Sequence, residues 1–207
     1  KYAKLIKIKI WHKMRTAKII RETKETKITL SLDLDGSGVS TIDTGIGFFD
    51  HMLEQLCYHS MINLELRVSG DLEIDFHHSV EDCGICLGKA FNKALGDKKG
   101  VNRYGFYMLP MDDALVRVAL DFSGRTYFNW GVIFPNSRIG NFDTELVREF
   151  FQAFSSNAEM TLHIQKLDGF NSHHICEAVF KGFGRSIKSA VKKDETNKQI
   201  PSTKGIL

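Results

Sequence analysis

Two stretches of the sequence combine adjacent histidines with a nearby glutamate. HHSVE occupies residues 77–81, and HHICE repeats the pattern at residues 173–177, 96 residues later. On a helix, residues three and four apart lie on one face, so each glutamate can approach its own histidines. Neutral imidazole and carboxylate are common ligands of divalent transition metals. The duplicated pattern therefore predicts two metal sites.

A helix predicted over residues 48–59 carries further polar groups at regular spacing. Its apolar residues recur at helical intervals and predict a buried face. His51, Gln55 and His59 follow one another at intervals of four on a different line. Such a line is typical either of a solvated surface or of a helix that faces a site. Both interpretations remain open from the sequence.

The second half repeats this arrangement. Residues 144–155 predict a helix that Thr144 would cap. Glu149 lies on it 24 residues before His173, much as His51 lies 26 residues before His77. Each half can therefore supply one ligand from this helix in addition to its histidine pair and following glutamate.

The order of predicted elements indicates a fused duplication. Each half is predicted as strand, strand, helix, strand and helix, and residues 28–34 and 39–42 are expected to form a hairpin around an Asp-Gly turn. The predicted fold class is α+β, an α/β two-layer arrangement of internally duplicated β-β-α-β-α halves, with mixed sheets packed on a helical layer (ribosomal S5 domain 2-like). The predicted boundaries are an extension at 1–13, half-repeats at 14–96 and 106–195, a linker at 97–105, and a substrate-binding tail at 196–207.

Composition restricts the class of protein. The 207 residues are 43% hydrophobic and 26% charged, as expected for a soluble globular chain. No apolar run approaches the roughly 20 residues that span a bilayer, so we do not expect an integral membrane protein. The expected location is the cytoplasm, and no membrane partner is expected. Ten of the 28 lysines and arginines lie within residues 1–27. A nucleic-acid or membrane-surface arm is an alternative there, but residues 1–13 precede Met14 and are better interpreted as an upstream extension.

The four cysteines raise a second possible chemistry. Cys83 and Cys86 form a CxxC pair, while Cys57 and Cys176 stand alone. The second half has no matching pair, and apolar residues surround the first one. We therefore expect buried, reduced thiols rather than a zinc or redox site.

Three cations lie beside small residues whose backbone N–H groups could assist anion binding. Arg103 lies within GVNRYG, Arg125 within SGR, and Lys204 within PSTKG. None of these is a P-loop, and each alone is more typical of a surface charge. Together they suggest a phosphate group.

Taken together, these residues resemble the imidazoleglycerol-phosphate dehydratase family over residues 15–207. The motifs that carry the resemblance are RETKET at 21–26, DHML at 50–53, GDL at 70–72, HHSVED at 77–82, PMDD at 110–113, SGR at 123–125, TLH at 161–163, NSHH at 171–174 and PSTKG at 201–205. The resemblance implies a hydro-lyase of histidine biosynthesis with two Mn²⁺ per subunit. It also implies trimers that assemble into a 24-mer with active sites between subunits, and no nucleic-acid partner.

The resemblance implies two sets of metal ligands. One ion would be held by His51, His78, His173 and Glu177. The other would be held by His77, Glu81, His174 and the residue at position 149. Many family members have histidine at that position, where this chain has Glu149. Since a carboxylate can replace imidazole at manganese, we expect a working site with altered metal preference.

The resemblance also assigns the groups that contact substrate. Glu25 matches the family's acid/base, and His51, His78 and Glu177 are the other predicted catalytic residues. The predicted substrate contacts are Glu25, His51, Gln55, His59, His77, His78, Glu81, Arg103, Arg125, His173, Lys181, Ser202, Thr203 and Lys204.

These residue types fit the implied reaction. D-erythro-imidazole-glycerol phosphate would lose water to give imidazole-acetol phosphate, through a dimanganese-bound imidazolate that pushes electrons towards the departing hydroxyl. The Glu25 carboxylate would then take the neighbouring carbon-bound proton. Three alternatives remain: a dinuclear hydrolase of a small phosphorylated substrate, a metal-binding scaffold without catalysis, and a nucleic-acid-binding protein.

Overall fold

The structure, a computed structural model, describes residues 15–194, 196 and 199–207. The extension predicted at 1–13 lies outside these residues. The strands are β1 (Thr16–Glu22), β2 (Thr26–Asp33), β3 (Ser40–Asp43), β4 (Asn63–Gly70), β5 (Tyr104–Met111), β6 (Ala114–Asp121), β7 (Tyr127–Gly131), β8 (Arg138–Ile139), β9 (Phe142–Asp143) and β10 (Thr161–Asp168). The helices are α1 (Gly47–Ser60), α2 (His77–Leu95), α3 (Glu145–Asn157) and α4 (Ser172–Val191).

Both halves build the same four-stranded sheet. The strand order is β1-β2-β4-β3 in the first half and β5-β6-β10-β7 in the second. In each sheet the last strand is parallel to its neighbour and the other pairings are antiparallel. The mixed sheets and four helices confirm the α+β class. Each four-stranded sheet has one strand more than the sequence predicted, namely β1 and β5, and β5 begins inside the predicted linker. The second half also contains a small two-stranded sheet of β8 and β9, which the sequence did not predict.

The predicted hairpin between β2 and β3 is wrong. β2 pairs with β1 and β4, whereas β3 pairs in parallel with the far side of β4. The reason is Asn63, whose Oδ1 accepts hydrogen bonds from the backbone N–H groups of Ser37 and Val39, both at 2.9 Å. In a hairpin, these two N–H groups would have donated to carbonyl groups of the turn or of β2. Because Asn63 accepts them instead, the chain crosses to the far side of β4 before β3 begins.

The helices of the two halves pack against each other in crossed pairs. α1 packs on α4, and α2 packs on α3, while the sheets cover the outer sides. Two glycines permit the second contact: a Cβ at Gly84 would lie 2.6 Å from the Phe150 carbonyl oxygen, and one at Gly88 would lie 2.5 Å from that of Phe154. The buried core between the helices is rich in phenylalanine, including Phe150, Phe151, Phe154, Phe180 and Phe183. Each half therefore contributes one helix to each pair.

Two minor predictions have different outcomes. All four cysteines are free and buried, as expected. Thr144 does precede α3, but its side chain does not cap the helix; its hydroxyl donates instead to the Asn136 carbonyl at 3.1 Å.

No helix in the described part of the chain is long and apolar enough to cross a bilayer.

Candidate metal and substrate site

The packing of α1 on α4 brings three predicted metal ligands together. The Nε2 atoms of His51 and His173 lie 3.5 and 3.1 Å from Oε2 of Glu177. One donor atom from each of the three residues lies within 4.8 Å of the other two. We call His51, His173 and Glu177 the first cluster. Two imidazoles and a carboxylate at this separation could hold a divalent metal ion.

The carboxylate of the first cluster is buried and charged. Glu177 is 7% exposed, and its Oε1 lies 2.6 Å from Nζ of Lys181, one turn along α4. Burial alone would raise the pKa of Glu177, but the Lys181 hydrogen bond and charge, helped by His173 and His51, lower it below its ordinary value. The anion is therefore the favoured form, and it is the form that binds metal.

The loop before α4 fixes where its histidines lie. Oδ1 of Asn171 accepts the backbone N–H groups of His173 at 2.9 Å and His174 at 3.3 Å, which caps the helix. Oδ2 of Asp113 accepts those of Phe170 at 2.7 Å and Asn171 at 2.9 Å. The histidine pair is thus held by side chains on both sides of the helix start.

The corresponding residues of the other half-site lie on α2 and α3. The His77 Nε2 lies 3.9 Å from the Glu81 Oε2, and their side chains are 42% and 45% exposed. Glu149 lies on α3 and pairs with Nη1 of its neighbour Arg148 at 2.9 Å. We call His77, Glu81 and Glu149 the second cluster, because they occupy the positions that His173, Glu177 and His51 occupy in the duplicated half.

The second histidine of each pair contacts an aspartate that belongs to neither cluster. Nδ1 of His78 lies 3.0 Å from Oδ2 of Asp71, and Nδ1 of His174 lies 2.6 Å from Oδ1 of Asp113. A carboxylate that holds one ring nitrogen fixes the tautomer and leaves the other nitrogen available to a metal. Asp71 raises the pKa of His78 through this hydrogen bond. The Asp113 pKa is lowered well below its usual range by the Asn171 N–H, then by His174 and the Phe170 N–H.

The available Nε2 atoms of these two histidines face the turns of the hairpins. The His78 Nε2 lies 3.8 Å from Oε1 of Glu25, on the β1–β2 turn. The His174 Nε2 lies 3.7 Å from Oδ2 of Asp112, on the β5–β6 turn. His78 therefore lies beside the predicted acid/base rather than with His51, and His174 does not join the second cluster. The two four-ligand sets stay predictions.

The α1 polar line continues towards a cationic stretch of α4. His59 is half-buried, and burial, with the charges of Arg185 and Lys181, lowers its pKa despite Glu177. Among the described residues its buried Nδ1 has no hydrogen-bond partner. A neutral imidazole with an unused nitrogen can bind a polar ligand. Gln55 lies one turn away on the same helix, between His51 and His59.

The three predicted anion-binding cations lie near the C-terminal tail. Arg103 is 9% exposed; its Nε lies 2.6 Å from the Asp121 carboxylate, and its Nη1 donates to the Pro201 carbonyl at 2.8 Å. Arg103 therefore holds the start of the tail that carries Ser202, Thr203 and Lys204. The far end of the tail reaches the Arg125 turn, since a Cβ at Gly124 would lie 2.8 Å from Leu207.

The sequence did not identify the carboxylates that orient the histidines. Asp71 and Asp113 lie in GDL and PMDD, two motifs of the resemblance to which no role was given. They lie 7 and 61 residues from the histidines they contact. The signal that could have found Asp71 is a carboxylate directly after a strand and shortly before a histidine pair. Asp113 gave no such local signal, because only the fold brings its turn to α4.

Comparison with known proteins gives a consistent result. The family model described as imidazoleglycerol-phosphate dehydratase matches residues 44–187. The imidazoleglycerol-phosphate dehydratase of Cereibacter sphaeroides is 57% identical over 195 residues, which cover 94% of this chain and 100% of that protein.

Two solved structures are also similar. The crystal structure of imidazoleglycerol-phosphate dehydratase from Staphylococcus aureus has a TM-score of 0.80 and 38% identity, covering 86% of this chain and 99% of that one. The IGPD of Pyrococcus furiosus has a TM-score of 0.79 and 35% identity, covering 91% and 100%. Matches of this extent in sequence and fold, over residues that include the first cluster, show that the chain belongs to the imidazoleglycerol-phosphate dehydratase family.

Proposed function

We propose that this chain dehydrates D-erythro-imidazole-glycerol phosphate to imidazole-acetol phosphate. The observation that carries the proposal is the first cluster, in which His51, His173 and Glu177 converge within a chain of this family. A cluster of imidazoles and a buried carboxylate suits a metal that must also accept an azole nitrogen as a ligand.

The proposal includes two manganese ions. His51, His173 and Glu177 would contribute to one site and His77, Glu81 and Glu149 to the other. His78 and His174 would each complete a site through Nε2, since Asp71 and Asp113 occupy their Nδ1 atoms. When bound, the two ions supply the Lewis acidity that stabilises negative charge on the azole ring.

Glu25 is the proposed acid/base. Its side chain is 54% exposed at a hairpin turn, and its Oε1 lies 3.8 Å from Nε2 of His78. A carboxylate next to a group that contacts the azole can reach a proton on the adjacent side-chain carbon of the substrate. Protonated Glu25 would give its proton to the departing hydroxyl, which leaves as water, and the Glu25 carboxylate would then take the proton of the adjacent carbon. The enol product would become the ketone by proton transfer.

The far end of the substrate would be held by cations. Arg125, Lys181 and Lys204 are the proposed phosphate contacts, with Ser202 and Thr203 as hydroxyl donors and Gln55 and His59 nearer the ring. Arg103 would support them by holding the tail at Pro201. Fixing the non-reacting phosphate orients the reacting carbons and lowers the entropic part of the barrier.

Assembly would complete the sites. His78 and His174 face away from the clusters that need a fourth ligand, so we propose that each cluster takes its remaining ligand from a neighbouring subunit. The proposed assembly consists of trimers that associate into a 24-mer with active sites between chains. The same dependence predicts that metal removal lowers both activity and particle size.

A direct assay tests the proposal. Manganese-loaded protein is incubated with imidazole-glycerol phosphate, and the ketone product and inorganic phosphate are both measured. The proposal expects ketone without phosphate release, and activity that chelator abolishes and manganese restores. Phosphate release without ketone would instead indicate a hydrolase, and manganese binding without either product would indicate a scaffold without catalysis.

A further inference from the structure

A buried carboxylate on α2 joins that helix to the turn that carries Glu25. Asp82 directly follows Glu81 and is 6% exposed. Its Oδ1 lies 2.8 Å from Nη2 of Arg21 at the end of β1, and its Oδ2 accepts the hydroxyl hydrogen of Thr26 at the start of β2. One carboxylate therefore contacts both strands of the hairpin on the two sides of the turn.

Thr26 also forms hydrogen bonds with the residues of the turn. Its hydroxyl lies 3.3 Å from that of Thr23, and its backbone N–H donates to Oγ1 of Thr23 at 2.9 Å. The same Oγ1 accepts the backbone N–H of Glu25 at 3.1 Å, and the Thr23 N–H donates to the Thr26 carbonyl at 2.9 Å. The backbone of Glu25 is thus fixed by a short chain of hydrogen bonds that begins at Asp82.

The duplicated half provides an internal comparison. The residue after its HHxxE glutamate is Ala178 rather than Asp82, and the first residue of its second strand is Ala114 rather than Thr26; both alanines are buried. Apolar packing is therefore sufficient at these positions. A buried ion pair gains little stability over apolar packing, because both charges lose hydration. Stability alone does not explain the polar network beside Glu25.

We propose that Asp82 is a positioning residue, which holds the Glu25 turn at a fixed distance from the metal-binding residues of the same helix. His77, His78 and Glu81 precede Asp82 within two turns of α2, so one rigid element places both the ligands and the acid/base. This inference rests on the proposed acid/base role of Glu25. Loss of the network should therefore lower kcat while it leaves metal content and substrate KM unchanged.

Thr26→Val is the first test, because it removes the hydroxyl and keeps the shape. We expect kcat to fall roughly 10- to 100-fold, the effect of a displacement of about 1 Å at a reacting group. KM and manganese content should stay within about twofold of the parent. Ser155→Ala is the matched control: among the residues that the structure describes, its buried hydroxyl bonds only within α3, to the Gln152 carbonyl at 3.1 Å, and kcat should not change.

The double-variant cycle with Glu25→Gln separates positioning from a general structural effect. If Asp82 acts through Glu25, Thr26→Val should cost nothing further in the Glu25→Gln background. An equal fold-loss in both backgrounds would overturn the positioning role, as would an unchanged kcat for Thr26→Val alone. Near-normal turnover of Glu25→Gln would instead overturn the acid/base role, which makes the two failures distinguishable.

A second variant guards against misfolding. Arg21→Met combined with Asp82→Ala replaces the ion pair by apolar groups, as the other half does with Ala178. We expect this variant to fold, to bind manganese as the parent does, and to show the low kcat of Thr26→Val. A kcat equal to that of the parent would overturn the proposal.

Discussion

The two ligand clusters come from equivalent positions of the duplicated halves, yet they differ in how complete they are. In the first cluster, two imidazoles lie 3.5 and 3.1 Å from a glutamate that is 7% exposed. In the second, His77 and Glu81 are 3.9 Å apart and more than 40% exposed. The residues of the first cluster lie on α1 and α4, which pack on each other, whereas His77 and Glu81 both lie on α2 and are exposed to solvent.

The neighbouring cations sharpen this difference. Lys181 lies one turn from Glu177 and keeps it charged without occupying the oxygen that faces the histidines. Arg148 instead pairs directly with Glu149. Glu149 occupies in the second half the position that His51 occupies in the first half. An exposed pair of this kind contributes at most about 1 kcal/mol, so a metal can displace Arg148 at small cost. If both proposed sites bind metal, we therefore expect the first to bind it more tightly than the second.

The largest expected effect comes from the first cluster. Glu177→Gln keeps the side-chain size but removes the charged ligand, so we expect about 10³-fold lower turnover and the loss of one bound manganese per chain. Metal analysis of the purified variant and an activity assay check this. Glu54→Gln, an exposed glutamate on α1, is the control and should match the parent. Unchanged manganese content would contradict the assignment of Glu177.

A smaller effect is expected from the second cluster. Glu149→Ala should remove the weaker manganese and leave the stronger one, with turnover lower by about 100-fold. Glu149→His restores an imidazole and should retain two ions, because either donor suits manganese. Equilibrium dialysis at several manganese concentrations measures both affinities. The comparison would be wrong if Glu149→Ala removed the tighter-binding ion.

Substitution of the aspartates that orient the histidines should weaken metal binding less than substitution of the proposed ligands. Asp71→Asn weakens the hydrogen bond that orients His78, and we expect roughly 10-fold weaker manganese binding. Asp33→Asn, in β2 and remote from the histidines in sequence and contact, is the control. Calorimetric titration with manganese gives both affinities, and equal affinity for the parent and Asp71→Asn would show that this carboxylate does not tune the site.

The smallest effect concerns stability and pH. The pKa of Asp113 is lower in the folded chain than its ordinary value of 3.8, so its contribution is present above that pH and is lost as the pH falls towards the folded-state pKa. The Tm of the parent should therefore exceed that of Asp113→Asn at pH 6, and the gap should shrink by pH 3. Asp112→Asn, 74% exposed in the same turn, is the control, and its Tm should be close to that of the parent at pH 6. A gap for Asp113→Asn that widens on acidification would contradict the assignment.

Local patterns predicted the helices and the candidate ligands that lie within one helix. The apolar spacing over residues 48–59 predicted α1 to within one residue at each end, because a buried helical face leaves a direct sequence signal. The HHxxE pattern predicted the approach of His173 to Glu177 in the same way, since that contact lies within one helix. Where the chemistry depends on residues four apart, the sequence is sufficient.

Contacts between distant segments could not be predicted in this manner. The turn near Gly36 indicated a hairpin, but the side chain of Asn63, 26 residues from Ser37, determined the path of the chain. The contacts of Arg103 with the Asp121 carboxylate and the Pro201 carbonyl left no local signal in the sequence either, and its predicted phosphate contact stays a prediction. Each case depends on which partner the fold brings within hydrogen-bond distance.

The most direct test is to titrate the parent chain, Glu177→Gln and Glu149→Ala with Mn²⁺ and to follow the free-ion paramagnetic resonance signal. Our account predicts two bound ions for the parent and one for each variant, with the tighter ion retained only by Glu149→Ala. Binding of fewer than two ions by the parent, or of two ions by both variants, would contradict it.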